Sequence, residues 1–193
     1  SMALDSLYQA WQKVHYPYEF YEVNLQHFSD KGKKDKVALF KAEMKKAFGI
    51  EEGDYKFRID NRKFSADPEH NVIYPALNSI KGLSNKLAED LYSLKDNQYS
   101  SFLDLYKDLL KTSCNSKHLD ILIKLNYFSE FGEINQLLKY VDIFDSLMGK
   151  KVLKKSNMTS YPEWLIQKYC TKETEKQYKF DDITPFIKEL TAS

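Results

Sequence analysis

The 193-residue sequence has no excess of charge of either sign, because 29 Lys and Arg residues face 28 Asp and Glu residues. A net charge of +1 creates no global field that would attract nucleic acid or an anionic membrane, so any anion binding has to be local. The sequence also lacks an apolar run of the roughly 18 residues that a membrane helix needs, and its start does not resemble a signal peptide. We therefore expect a soluble, cytoplasmic protein without a membrane partner.

Cysteine, glycine and proline are scarce as well. The two cysteines, Cys114 and Cys170, lie far apart and belong to no CxxC pair, which indicates free thiols. With 6 Gly, 5 Pro and 42% hydrophobic residues, the composition excludes a collagen-like or low-complexity chain and favours a helix-rich domain.

Motifs for catalysis are missing too. The sequence contains no GxxxxGK(S/T) phosphate loop, no GxSxG nucleophile elbow and no HExxH zinc motif. The four histidines are scattered without helical pairing, and the carboxylates of Asp54 and Asp60 are typical of solvated turns. We predict no catalytic residue, no metal site and no cofactor in this chain.

Helical periodicity dominates what is present. Apolar residues at three- and four-residue intervals predict an amphipathic helix over 3–14, and the same spacing predicts further helices along the chain. Between residues 55 and 65 the period changes to alternation, with turn residues at Asp60 and Asn61, which predicts a small β-hairpin. The region 133–193 is predicted to be a helical extension with a linker-like stretch.

The helix ends have local signals of their own. Pro17 is expected in the first turn of a helix, Gly49 at a left-handed helix end and Ser84 at an N-cap. Asn126, at the end of a later helix, is a residue type that also takes left-handed conformations.

The sharpest local signal is the sequence IKGLSNKLAE at 80–89, which resembles the hairpin of a helix-hairpin-helix motif. Glycine at such a turn lets backbone N–H groups approach a phosphate, and the following helix adds its unbonded N–H groups and positive dipole end. Ser84 replaces the second glycine of the motif. The candidate DNA-backbone-binding residues of this turn are Lys81, Gly82, Leu83, Ser84, Asn85 and Lys86. The alternative is an ordinary corner between helices, in which Gly82 only lets the chain reverse.

A second helix–turn–helix unit follows between Ser101 and Asn126, and its turn contains no glycine. Its candidate phosphate contacts are Asn115, Ser116 and Lys117. The ordinary-corner interpretation is stronger here because the turn has no glycine. Lys117 and His118 are near enough to reach a DNA backbone, but their charge at the start of a helix opposes the helix dipole, which favours surface residues without a role. The fold class predicted is mainly α: a helical domain with tandem helix-hairpin-helix units and a small β-hairpin insertion.

Five segments, in order, resemble the bacterial C-family replicative DNA polymerase, the DNA polymerase III alpha subunit. They are ALDSLYQAWQKVHYPYEF at 3–20, KVALFKAEMKKAFGI at 36–50, LNSIKGL at 77–83, YSSFLDL at 99–105 and NSKHLDILIKLNYFS at 115–129. The resemblance covers about residues 3–132 and implies the end of the fingers over 3–75 and a tandem helix-hairpin-helix region over 76–132. The match fades beyond residue 132, and 133–193 is expected to be a helical extension or linker to a following domain.

What the resemblance implies is a non-catalytic piece that grips the backbone of primer-template duplex DNA without reading its sequence. The palm carboxylates of the nucleotidyltransferase would lie before Ala3, so we expect no polymerisation by this chain alone. Its other expected partners are the remaining polymerase domains. The alternative function is a structural scaffold that links those domains without touching DNA.

A sliding clamp is a further conceivable partner, because the sequence QLLKY at 136–140 superficially resembles a clamp-binding peptide. Leu137, Leu138, Val141 and Phe144 continue a helical apolar stripe through this segment, however, which favours packing.

Overall fold

The computed structural model describes residues 2–192, and in this range the chain is mainly α-helical. The helices are α1 (Met2–His15), α2 (Pro17–Asp30), α3 (Lys34–Phe48), α4 (Asn85–Leu94), α5 (Phe102–Leu109), α6 (Ser116–Lys124), α7 (Ile134–Leu147), α8 (Glu163–Tyr169) and α9 (Thr184–Leu190). The strands are β1 (Glu51–Glu52), β2 (Ser65–Asp67), β3 (Val72–Tyr74), β4 (Val152–Lys154), β5 (Cys170–Glu173) and β6 (Gln177–Phe180). None of the helices in this range is long and apolar enough to cross a bilayer.

Within the described residues the chain divides into two compact units, residues 2–100 with 104–130 and residues 101–103 with 131–192. The predicted division at residues 75 and 132 remains a prediction about the parts of a polymerase.

The core of the first unit starts between α2 and α3. Tyr21 is fully buried there and donates a hydrogen bond of 2.6 Å to Glu43 Oε1. Glu43 also pairs with Lys13 Nζ at 2.6 Å, and this ties α1 to α3. Local signals for the helix ends are confirmed: Pro17 occupies the first turn of α2, and Gly49 ends α3 in the left-handed conformation with φ +66°.

The apolar face of α1 is the exception to this packing. The exposed fractions of its side chains are 67% for Leu4, 69% for Leu7, 61% for Tyr8, 50% for Trp11 and 65% for Val14. The helix forms as the periodicity predicts, but within this chain its apolar face is largely open to solvent.

The hairpin predicted over 55–65 is wrong in its position. Residues 53–64 form an irregular loop, whereas β2 pairs antiparallel with β3 and β1 joins β3 in parallel. The physical reason is Asn61, which is only 3% exposed. Its amide donates to the carbonyls of Asp54 at 3.2 Å and Pro75 at 2.9 Å, and its Oδ1 accepts from the Lys56 N–H at 3.3 Å. These bonds close the loop instead of extending it.

This loop packs into the first unit and is not an insertion on its surface. Phe57 is 2% exposed, and its N–H donates to the carbonyl of Tyr127 at 3.0 Å. The loop therefore connects α2 and α3 to the helical region that follows.

The helical region from 76 to 130 follows the sequence prediction. Side chains at helical spacing on α4, α5 and α6 are buried, namely Leu87, Leu91, Leu105, Leu109, Leu119, Leu122 and Ile123. Asn126 takes φ +61° just after α6, in agreement with the expectation that asparagine can end a helix in the left-handed region.

The second unit corrects the prediction of a helical extension with a linker-like stretch. Its strands form an antiparallel sheet in the order β4-β6-β5 over a region that was predicted to be linker and helix. The strands have only three or four residues, too few for a clear alternation. Leu153 and Phe180 are buried, so one face of this sheet contributes to the core of the unit.

Candidate nucleic-acid interface

The first turn, residues 80–84, leads into α4 and requires its glycine. Gly82 has φ +93°, a conformation that L side chains rarely adopt, and a Cβ there would lie 3.2 Å from Ile121 Cδ1. Leu83 is 6% exposed, and its N–H donates to the carbonyl of Ile80 at 3.1 Å. Leu83 is thus the buried anchor of the turn, and its neighbours are held at the surface.

Ser84 is the N-cap of α4, as predicted. Its Oγ accepts a hydrogen bond of 3.2 Å from the N–H of Leu87, and its carbonyl accepts from Ala88 at 3.1 Å. The side chain thereby satisfies one of the unbonded donors at the start of the helix.

Five backbone N–H groups at this turn have no acceptor among residues 2–192. They belong to Lys81, Gly82, Ser84, Asn85 and Lys86, all of which are exposed. A row of exposed N–H donors in front of the positive end of a helix dipole is a geometry that binds anions. The arrangement requires no side-chain chemistry, so it suits a ligand with many phosphate oxygens.

The two lysines of this turn add positive charge. Within the described part of the chain, Lys81 and Lys86 form no ion pair. The nearby carboxylate of Glu89 instead contacts Arg62 Nη1 at 3.4 Å. Asp90, one helical turn after Lys86, is hydrogen-bonded to Ser113. The positive potential at the turn is therefore not neutralised by a direct pair.

The second turn, residues 112–115, is closed by its own hydrogen bonds. Its four N–H groups donate to the carbonyl of Leu109 at 3.0 Å, Asp90 Oδ2 at 3.0 Å, Thr112 Oγ1 at 3.1 Å and His118 Nδ1 at 3.2 Å. Asn115 Oδ1 accepts from the His118 N–H at 2.9 Å, which completes a capping box on α6.

Of the predicted contacts in the second turn, only two retain unbonded donors. The N–H groups of Ser116 and Lys117 have no acceptor among the described residues and are exposed, whereas the side chain of Asn115 caps the helix. The role of His118 as capping partner was missed, although an asparagine three residues before it resembles the spacing of a capping box.

Comparison with known proteins agrees with this geometry. A family model described as "Helix-hairpin-helix motif" matches residues 46–138, which contain both turns. The DNA polymerase III subunit alpha of Treponema pallidum is 27% identical over 143 residues, that of Ureaplasma parvum 29% over 133 and that of Campylobacter jejuni 31% over 134. The chain is a relative of the DNA polymerase III alpha subunit. The matches cover 67–68% of the chain and 11–13% of these curated relatives, so the chain spans about an eighth of their length.

Asp90 holds the second turn against α4 in this chain. Ser113 donates to Asp90 through both its backbone N–H and its hydroxyl. These bonds, with a smaller contribution from the charge of Lys86, hold the pKa of Asp90 below its usual range.

Both cysteines are free, as predicted. Burial, with the nearby charge of Asp90, raises the pKa of the Cys114 thiol to about 12, so that it stays protonated at neutral pH.

Two arginines position the loop 53–64, and sequence reasoning identified neither of them. Arg58 Nε donates to Glu130 Oε1 at 2.8 Å, and its guanidinium lies 4.7 Å from the centre of the Phe57 ring. Arg62 pairs with Asp60 at 3.0 Å and lies 3.5 Å from the Tyr92 ring centre. Both guanidinium groups have carboxylate and aromatic partners within the fold, so we assign them to stabilising the loop and not to binding a phosphate.

Two further features of this chain, the segment 136–140 and the pair of Asp67 and His70, do not form a site by themselves. Gln136 and Tyr140 lie inside α7 and bond to each other at 2.8 Å, and Leu137 is 2% exposed. The segment resembling a clamp-binding peptide is thus folded into a helix, and clamp binding remains a prediction. Asp67 and His70 are joined at 2.7 Å in an exposed local pair.

A cavity of about 410 Å³ opens beside Lys81. Val37, Ala38 and Ile80 contribute to its apolar lining, and Lys34 and Lys81 bring positive charge to it.

Proposed function

We propose that the first turn of this chain binds phosphates of primer-template duplex DNA and contributes a non-catalytic, sequence-independent grip to a polymerase of the alpha type. The observation that carries the proposal is the row of five unbonded N–H groups at the turn around Gly82. This turn lies inside the helix-hairpin-helix match. The relatives are named as polymerase subunits, which makes DNA the natural anion.

The charge distribution sets the strength of this grip. With a net charge of +1 and few phosphate contacts, the isolated chain should bind duplex DNA at about 10⁻⁴ to 10⁻⁶ M and lose affinity steeply with salt. Backbone N–H groups contact phosphates without reading bases. Binding should therefore be independent of DNA sequence.

The second turn contributes less in this proposal. Ser116 and Lys117 offer two N–H groups to a phosphate, and Asn115 holds the start of α6 in place. The role requires no metal or cofactor, includes no nucleotide incorporation by the chain alone, and places it in the cytoplasm with the remaining domains of a polymerase.

The experiment is fluorescence anisotropy of a labelled primer-template duplex at about 50 and about 200 mM salt, the range in which phosphate contacts are visible. The double variant Lys81→Glu/Lys86→Glu should weaken binding strongly. The control is Lys36→Glu/Lys46→Glu on α3, which makes the same charge change at exposed lysines outside both turns. Equal affinity of the wild type and the first variant would remove this turn from the function.

A second candidate function, a scaffold for other polymerase domains, is favoured by the exposed apolar face of α1. Monomeric proteins rarely expose a contiguous apolar face of this kind without a partner. The occupant proposed is polymerase chain outside this segment, because the relatives are about eight times longer than the part that matches. On this proposal Leu7→Glu/Trp11→Glu prevents association with the rest of an alpha subunit supplied separately. The DNA affinity of this variant should equal that of the wild type. If the variant still associates with the rest of the alpha subunit, the scaffold function is contradicted.

A further inference from the structure

The sheet of the second unit carries lysines on its exposed face. Lys179 on the central strand β6 lies opposite Lys172 on β5 and Val152 on β4. Lys154 lies two residues further along β4, opposite Gln177. Directly paired residues share a face, and neighbouring strands are about 4.8 Å apart. Three lysines on three adjacent strands therefore point the same way.

These lysines are not neutralised by neighbouring carboxylates. All three are exposed, and none forms an ion pair within residues 2–192. The carboxylates of Glu173 and Glu189 pair with other lysines, Lys155 and Lys168. Like charges directly opposite on a sheet are destabilising, so the pair of Lys172 and Lys179 costs the fold some stability.

Protection of sheet edges accounts for only part of this pattern. Lysines on edge strands prevent edge-to-edge association, and β4 and β5 are the edges of this sheet. Lys179 lies on the central strand, where it has no edge to protect, and it adds repulsion with Lys172. A local conflict of this kind, on an otherwise satisfied fold, is typical of a functional surface.

We propose that this face, which we call the lysine face (Lys154, Lys172 and Lys179), is a second binding site for the phosphodiester backbone of DNA. A backbone phosphate would relieve the repulsion between Lys172 and Lys179, and lysine binds phosphate as a point charge. The inference rests on the proposed function only in that both sites take DNA. It assigns a role to the second unit, most of which lies outside the helix-hairpin-helix match.

The test compares two variants of the full chain with equal charge. In the first, Gln replaces each lysine of the lysine face. The control is Lys36→Gln/Lys46→Gln/Lys139→Gln, which removes three exposed lysines outside the sheet and both turns. Anisotropy is measured over salt concentration with a labelled duplex and, separately, with a labelled single strand of the same length.

The lysine-face variant should lose about tenfold or more in affinity at about 50 mM salt, and the slope of log K against log salt should fall by about 3, one for each lysine. The control should change little in slope. If the loss appears for only one of the two DNA forms, that form is the ligand of the face. Slopes equal to wild type for both forms would overturn the inference.

Two further readouts separate this inference from the proposed function. If Lys81→Glu/Lys86→Glu retains binding while the lysine-face variant loses it, the first turn fails and the lysine face stands. The reverse result leaves the turn and removes the face. The thermal midpoint of the lysine-face variant should equal or exceed that of wild type, because repulsion is relieved. A lower midpoint would show that these lysines stabilise the fold, which contradicts the inference.

Discussion

The two turns of the first unit have the same topology but differ in where their N–H groups donate. In the first turn, Lys81, Gly82 and Ser84 have unbonded N–H groups, while all four N–H groups of the second turn have acceptors within the described chain. A buried or satisfied donor cannot bind a ligand without losing a bond that it already has. The comparison teaches that a glycine turn stays open for a ligand, whereas a turn rich in Ser, Thr and Asn closes on its own side chains.

The largest expected effect comes from breaking the first turn at its glycine. Gly82→Ala places a Cβ at φ +93° and 3.2 Å from Ile121 Cδ1, so we expect a loss of about 2 kcal/mol in the free energy of unfolding. DNA affinity should fall as well, because the N–H groups move. Urea denaturation and anisotropy measure the two effects.

Gly32→Ala is the matched control for this change. Gly32 also has positive φ, at +68°, but a Cβ there would meet no atom within 4 Å. Its cost should be limited to backbone strain of about 1 kcal/mol, and DNA affinity should not change. Equal losses for the two variants would show that contact with α6 is unimportant for the first turn.

The next effect concerns the tie that closes the second turn. Asp90→Ala removes the acceptor of both donors of Ser113 and should cost about 1–2 kcal/mol in the free energy of unfolding. Affinity for DNA should be little changed, because the first turn keeps its donors. Asp35→Ala, at an exposed position in the first turn of α3, is the surface control. It loses only the attraction between the carboxylate and the helix dipole, so its cost in denaturant unfolding should be smaller, about 0.3–1 kcal/mol.

The same tie gives a pH dependence whose sign follows from Asp90. Its pKa is lower in the folded state than the ordinary value of about 3.9, so the folded state favours the ionised carboxylate. The stabilisation is present above that ordinary value and is lost as pH falls through the folded pKa. The difference in unfolding free energy between wild type and Asp90→Ala should therefore shrink below about pH 4. A difference that grows in acid would contradict the assignment.

A smaller effect is expected at the cap of the second turn. Asn115→Ala removes the acceptor for His118 N–H and should cost about 1 kcal/mol in the free energy of unfolding. The proposed grip depends mainly on the first turn, so DNA affinity should fall by less than in Lys81→Glu/Lys86→Glu. A larger loss would move the main contact to the second turn.

Sequence alone predicted the parts of the fold that depend on local chemistry. Pro17, Gly49, Ser84 and Asn126 act at helix ends as expected, because capping and left-handed conformations involve only neighbouring residues. The first turn was found for the same reason, since Gly82 and the cap that follows it are consecutive signals.

What sequence could not supply depends on partners far along the chain. The loop 53–64 looked like a strand by alternation, but Asn61 bonds to Pro75, and Phe57 bonds to Tyr127, 70 residues away. The closure of the second turn depends on Asp90, 23 residues before Ser113. No local pattern signals such contacts, and they determine which of the two turns keeps its donors.

The smallest effect sharpens the comparison at Ser84, where the helix-hairpin-helix pattern usually has a second glycine. Ser84→Gly removes the Oγ that accepts from Leu87, and replacing a serine N-cap by glycine costs only a few tenths of a kcal/mol. Glycine restores the backbone freedom that the helix-hairpin-helix pattern usually has at this position, so DNA affinity should rise slightly in anisotropy at about 50 mM salt. Ser116→Gly at the start of α6 is the comparison variant, and it should not raise affinity, because the capping box keeps the second turn closed. If Ser84→Gly weakens binding instead, the serine hydroxyl itself contacts the phosphate. In that case the replacement of the usual glycine by serine increases the affinity for DNA.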